Sequence, residues 1–171
     1  YSHLYNLSTT GLRFFTVYGP WGRPDMAAFL FTDAIFNGKP IKVFNDGKMQ
    51  RDFTFIDDII DGVLGVIDHP PTPHSNWKKV GHNNISQSSA PYRIYNIGNN
   101  KPQPLGMFIG AIENAIGKKA HKIFLPMQDG DVISTYADIQ DLNDLCGYTP
   151  NTDISEGVRI FVDWYRDYYG V

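Results

Sequence analysis

The run Leu12-Arg13-Phe14-Phe15-Thr16-Val17-Tyr18, followed at once by Gly19-Pro20-Trp21-Gly22-Arg23-Pro24, constrains this chain more than any other stretch. Its aromatic and β-branched residues read as a buried strand. Two prolines and two glycines in the segment that follows remove helix and ladder hydrogen bonds together, so the strand must end in an irregular loop. A helix comes next, with Asp25 placed to cap it, an end near Asn37, and Gly38 and Pro40 as its stop.

The same alternation continues down the chain. Residues 41–44 and 52–56 read as short strands joined by a loop, with Asp46-Gly47 as the turn signal. Asp57 or Asp58 then caps a helix in which Ile60, Val63, Leu64 and Ile67 fall at helical spacing. Residues 69–91 show no periodicity and are rich in Pro, Ser, Asn and His, the composition of a long surface loop. Residues 92–97 read as a strand closed by Gly98, and Pro104 opens a helix that Gly117 stops. Residues 122–127 are a further strand candidate and 137–145 a short helix. Asp153 with Glu156 resembles a capping box for a last helix whose stripe is Val158, Phe161, Val162, Trp164, Tyr165 and Tyr168. Strands alternating with helices place the chain in the α/β class.

With 171 residues and 42% hydrophobic content, the chain has enough apolar mass for one core. Fifteen basic against 18 acidic residues give a net charge of −3, which excludes a general field for nucleic acid or an anionic membrane. Any bound phosphate must therefore be met by a local cluster. The longest apolar stretch, 26–36, is broken by Thr32 and Asp33 and falls well short of the roughly 20 residues that span a bilayer. One cysteine, Cys146, rules out an internal disulfide and suits a cytoplasmic protein. His3, His69, His74, His82 and His121 show neither i, i+4 pairing nor a matching ligand cluster, so no zinc site is expected.

The string from Leu12 to Met26 resembles the middle of UDP-glucuronate 4-epimerases, NAD-dependent members of the extended short-chain dehydrogenases/reductases. Arg51-Asp52-Phe53-Thr54-Phe55-Ile56-Asp57-Asp58, Tyr95-Asn96-Ile97-Gly98-Asn99 and Gly130-Asp131-Val132 through to Ala137-Asp138 keep that family's order. The resemblance implies the last strands of a Rossmann-type parallel sheet, in 10–20 and 93–117. It also implies a small α/β substrate-binding domain, in 21–92 and 118–171. The family's glycine-rich phosphate turn is absent, and no tyrosine here has lysine four residues on, so the Tyr-x-x-x-Lys pair is missing too. Residues 1–171 are thus expected to be the C-terminal, UDP-sugar-binding half of such an enzyme. NAD would be held mainly by the other half, no catalytic residue would lie in this stretch, and the whole protein would be a homodimer.

The reaction the resemblance implies interconverts UDP-glucuronate and UDP-galacturonate through a 4-keto intermediate. A sister decarboxylase or dehydratase, or a non-catalytic nucleotide-sugar-binding module, stays open. Arginine suits a diphosphate because its planar fork gives paired, charge-assisted hydrogen bonds, and Arg51 matches that ligand in the family. By the same resemblance Asp131 accepts the ribose hydroxyls, the backbone of the strand 41–44 around Val43 reads the uracil edge, and Gln128 stands where relatives carry a second arginine. Thr16 would leave room for, and bond to, the sugar carboxylate, which Arg23 would orient. Tyr18 and Pro20 would shape the nicotinamide-side wall.

Overall fold

A computed structural model describes residues 1–74 and 85–171, so the middle of the loop expected over 69–91 lies outside the described residues. A short helix, α1 (Ser2–Tyr5), ends on left-handed Asn6. The apolar run that follows forms two strands. β1 (Thr9–Phe14) pairs in parallel with β6 (Tyr92–Ile97), whereas β2 (Thr16–Tyr18) pairs in parallel with β5 (Phe53–Phe55). The change of partner falls at Phe15. Its N–H still donates to the Ile97 carbonyl at 3.2 Å, and the next N–H, of Thr16, donates to the Asp52 carbonyl at 3.2 Å.

Two further pairs complete the ladders among the described residues. β3 (Ile41–Phe44) runs parallel to β8 (Lys122–Leu125), and β4 (Gln50–Arg51) antiparallel to β7 (Gln103–Pro104). Asn45, Asp46 and Gly47 are all left-handed, at φ of 51°, 49° and 75°. Asn, Asp and Gly tolerate that region best. This turn leads the chain on to β4, so the Asp-Gly signal marks a change of sheet and not a hairpin.

The helices are α2 (Ala27–Phe36), α3 (Ile56–Ile67), α4 (Leu105–Ile116), α5 (Gln140–Cys146) and α6 (Ile154–Tyr169). Asp153 caps α6 as expected, its Oδ1 accepting from the Ser155 N–H at 2.8 Å. Glu156 does not close the capping box, because both its oxygens take Arg159. Asp25 does not cap α2, which starts after Met26; Arg23 donates to both Asp25 carboxylate oxygens, and that charged pair outcompetes an amide. Asp57 and Asp58 lie inside the first turn of α3, where Asp58 accepts from the N–H groups of Asn151 and Thr152, both at 3.2 Å. The inward face of α3 carries Ile59, Gly62 and Val66, while Ile60, Leu64 and Ile67 are exposed. Gly62 permits this, since a Cβ there would run into Ile97 and Tyr148.

Two apolar clusters hold the elements together. In the larger, α2, α4 and α6 cover β2, β3 and β5, with Phe53 stacked on Phe108 at 4.2 Å between centroids. Each such ring, fully buried, contributes about 2–3 kcal/mol. The smaller joins Ile59 and Val66 of α3 to Ile97, Leu142 and Tyr148. α4 sits against α2 and α6, and α3 sits with β6 and α5.

Asp52 is fully buried between these clusters. Its Oδ1 accepts from the Asn99 N–H at 2.8 Å, and its Oδ2 from those of Asn100 at 3.0 Å and Ala137 at 2.8 Å. Its own N–H donates to Thr135 Oγ1 at 3.1 Å. Gly98 allows this close approach, because a Cβ there would overlap that of Ala137. Tyr148 seals the same place, its hydroxyl donating to the Gly98 carbonyl at 3.0 Å.

Glu113 of α4 is a second buried carboxylate. Burial alone would raise its pKa, but hydrogen bonds from Lys122, the Ala120 N–H and Lys119 outweigh that and hold it down to about 2, against an ordinary 4.5. A depressed carboxylate pKa contributes stability that is present above the unfolded value and lost as pH falls toward the folded one. In urea unfolding, Glu113→Gln is expected to be less stable than the parent near neutrality by on the order of 3 kcal/mol. That gap should close between about pH 4.5 and about pH 2. A gap constant across this window would contradict the electrostatic origin.

Candidate functional site

The parallel strands β3 and β8 end side by side at Phe44 and Leu125. Ligands of open α/β sheets gather where loops leave the carboxyl ends of parallel strands. One such loop leads through the left-handed Asn45–Gly47 turn to Arg51; the other runs from Leu125 to Asp131. The two loops are stitched together by the Gln50 N–H donating to the Ile133 carbonyl at 2.8 Å and by the Thr135 N–H donating to the Gln50 carbonyl at 3.3 Å. Residues 80 apart in sequence are thereby brought into contact, and Arg51 Nη2 donates to Asp131 Oδ1 at 2.7 Å.

This pair borders a cleft of about 570 Å³. One wall is the face of α2 that carries Ala27, Leu30, Phe31 and Ala34; β3 contributes Ile41, Lys42 and Phe44; Met49, Phe53 and Leu105 line it further, and Thr16 enters from β2. Most of the surface is apolar, with charge confined to Lys39, Lys42 and Arg51 against Asp33 and Asp131, a net of one positive charge. Asp33 is committed to the Tyr165 hydroxyl and the Asn37 amide, each at 3.0 Å. Among the described residues Lys39 and Lys42 have no ion pair. The cleft thus joins largely apolar walls to a cationic border able to meet an anion.

Of the residues singled out from sequence, Thr16, Arg51 and Asp131 line this one cleft. The others do not. Val43 is buried in the core at 1% exposure and is not part of the lining, although its strand neighbours Lys42 and Phe44 are. Tyr18 is also a core residue, packed edge-on to Phe53, Phe55 and Phe108. Burial and the nearby Asp58 and Asp153 carboxylates push its phenol pKa up. Pro20 is half-buried in the loop after β2. Gln128 is exposed, and its carbonyl accepts from the Asp131 N–H at 3.3 Å across a turn with left-handed Gly130. Arg23 is exposed and held by Asp25, outside the cleft lining.

Sequence reasoning missed Lys39, Lys42, Phe44 and Met49, although period-two alternation over β3 already put Lys42 and Phe44 on the face opposite the core. Trp21 anchors the loop that carries Arg23. It adopts φ +63°, unusual for a large side chain, and its ring lies 5.3 Å from Trp164 and 5.1 Å from Tyr168 of α6. Among the described residues no group of three or more His, Cys, Asp or Glu is placed to hold a metal ion, and no helix is long and apolar enough to cross a membrane.

Residues 1–98 match the NAD dependent epimerase/dehydratase family. The chain is 53% identical over 169 residues to Protein CapI of Staphylococcus aureus, covering 99% of this chain and 50% of that one. It is 44% identical over 169 residues to the probable UDP-glucuronate 4-epimerase of Rhizobium meliloti, again covering 99% and 50%. The Bacillus cereus UDP-glucuronic acid 4-epimerase, solved with UDP-glucuronic acid and NAD, superposes with a TM-score of 0.79 at 30% identity, over 98% of this chain and 48% of that one. The chain spans about half the length of the curated relatives it matches.

Because the Arg23–Asp25 pair is fully solvated, it adds little to folding. Arg23→Ala is expected to leave the thermal unfolding midpoint unchanged. A clear drop in calorimetry would mean that the loop depends on this arginine.

Proposed function

This chain belongs to the NAD dependent epimerase/dehydratase family, and from that premise we propose that it is the nucleotide-sugar-binding half of an enzyme that interconverts UDP-glucuronate and UDP-galacturonate. The observation that carries this reading is the convergence of Arg51 and Asp131 on one largely apolar cleft that Thr16 also enters. A uracil ring fits the apolar walls, the guanidinium meets the diphosphate, and the carboxylate accepts ribose hydroxyls. The Thr16 hydroxyl makes no hydrogen bond within the described residues and is available to the sugar. Similarity to a 4-epimerase solved with UDP-glucuronic acid supports this choice of ligand.

The described residues do not build a dinucleotide site of their own. No Gly-x-Gly sequence occurs in the chain, and the Tyr18 ring is enclosed in the core. We therefore assign NAD, on which the family depends, to the other half of the protein, together with the Tyr-x-x-x-Lys pair. What this half contributes is grip on the nucleotide remote from the reacting carbon. Such binding leaves the sugar free to present either face while UDP stays in place. The whole protein is proposed to be a homodimer in the cytoplasm, a location that the single cysteine of this stretch, Cys146, suits.

Calorimetry tests the assignment. The 171-residue chain is expected to bind UDP, and Arg51→Ala to weaken that binding by about 1–3 kcal/mol, the range for charged hydrogen bonds. An unchanged affinity would remove Arg51 from the site. Supplied with UDP-glucuronate and NAD⁺, the chain is expected to yield no UDP-galacturonate; product formation would overturn the placement of catalysis in the other half.

A further inference from the structure

We infer that Asp131 positions Arg51, and so controls how much the diphosphate adds to nucleotide binding; this rests on reading the cleft as a nucleotide-sugar site. A guanidinium has five N–H donors in a fixed plane. Arg51 Nη1 donates to the Gln50 carbonyl at 2.8 Å and to the Ile133 carbonyl at 3.3 Å, and Nη2 donates to Asp131 Oδ1 at 2.7 Å. The Nε–H and one Nη2–H have no partner among the described residues. Both terminal nitrogens are therefore tethered, while N–H donors remain for the oxygens of a phosphate.

Of the three tethers, only Asp131 is charged. Its Oδ1 is itself fixed by the Val132 N–H at 2.8 Å, and the Arg51 side chain is only 18% exposed. Without the carboxylate, a long side chain regains rotamers and loses its aim. Asp131 Oδ2 has no partner among the described residues and remains available to a hydroxyl. One carboxylate can thus hold the ribose with one oxygen and the diphosphate's arginine with the other.

The sign of one measurement separates this from a carboxylate that merely accepts ribose hydroxyls. A carboxylate beside a diphosphate repels it, so removing a pure hydroxyl acceptor leaves the gain from the diphosphate unchanged or larger. Removing a positioning group makes that gain smaller. The readout is the ratio of the uridine Kd to the UDP Kd, from NMR titration of the chain, Asp131→Asn, Arg51→Ala and the double variant. Ribose contacts and overall folding affect both ligands alike and cancel.

Asp131→Asn is expected to lower the ratio about fivefold or more, a usual size for coupled neighbours, and to have no such effect once Arg51 is alanine. Asp131→Glu, which keeps the charge, should recover part of the ratio. An unchanged or increased ratio in Asp131→Asn, or an equal drop in the Arg51→Ala background, would overturn the inference while leaving the nucleotide reading standing. Should the parent chain show no preference for UDP over uridine, the nucleotide-sugar reading falls, and the role of Asp131 with it.

Discussion

A buried carboxylate with no cation beside it must be satisfied by dipoles, and Asp52 achieves this with three backbone N–H groups from two distant segments. Its carbonyl accepts the Thr16 N–H, and its own N–H reaches Thr135. One residue thereby joins β2, the turn after β6 and the segment leading to α5. Arg51 immediately precedes it, and the Asp131 loop runs into the segment it holds. The geometry of the cleft border is a consequence of this core contact more than of anything in the cleft itself.

The same economy appears in β3. Val43 packs into the core while Ile41, Lys42 and Phe44 border the cleft, so one short strand closes the core and lines a binding surface. The walls are largely apolar, and the charges lie on Asp33 of α2, on Lys39 and Lys42, and on the Arg51–Asp131 pair where the loops after β3 and β8 meet. This division suits a ligand with a flat ring at one end and anionic oxygens further along.

Much of the fold was readable in the residues themselves. β3 and β6 have the expected bounds, and Gly38, Gly117 and Asp153 end or cap helices as glycine and aspartate usually do. The failures share a cause, competition from other partners. Leu12 to Tyr18 is one apolar run, yet it divides at Phe15 because Ile97 and Asp52 offer successive hydrogen-bond partners. Asp25 and Asp58 have the chemistry of caps, but an arginine and a remote pair of amides claim them first. For α3 the spacing was right, and close approach at Gly62 decides the face, leaving Ile60, Leu64 and Ile67 outward. Family resemblance drew attention to Thr16, Arg51 and Asp131, which share the cleft, and to Tyr18, whose ring packs in the core.

The loop after β2 is pinned by one indole held in a left-handed backbone against two aromatic rings of the last helix. Indoles as close as Trp21 and Trp164 exchange excitation, and their emission shifts once either becomes more wetted or turns relative to the other. Any displacement of the segment bearing Arg23 is therefore written into the molecule's own ultraviolet fluorescence, where it can be followed in real time without attaching a dye.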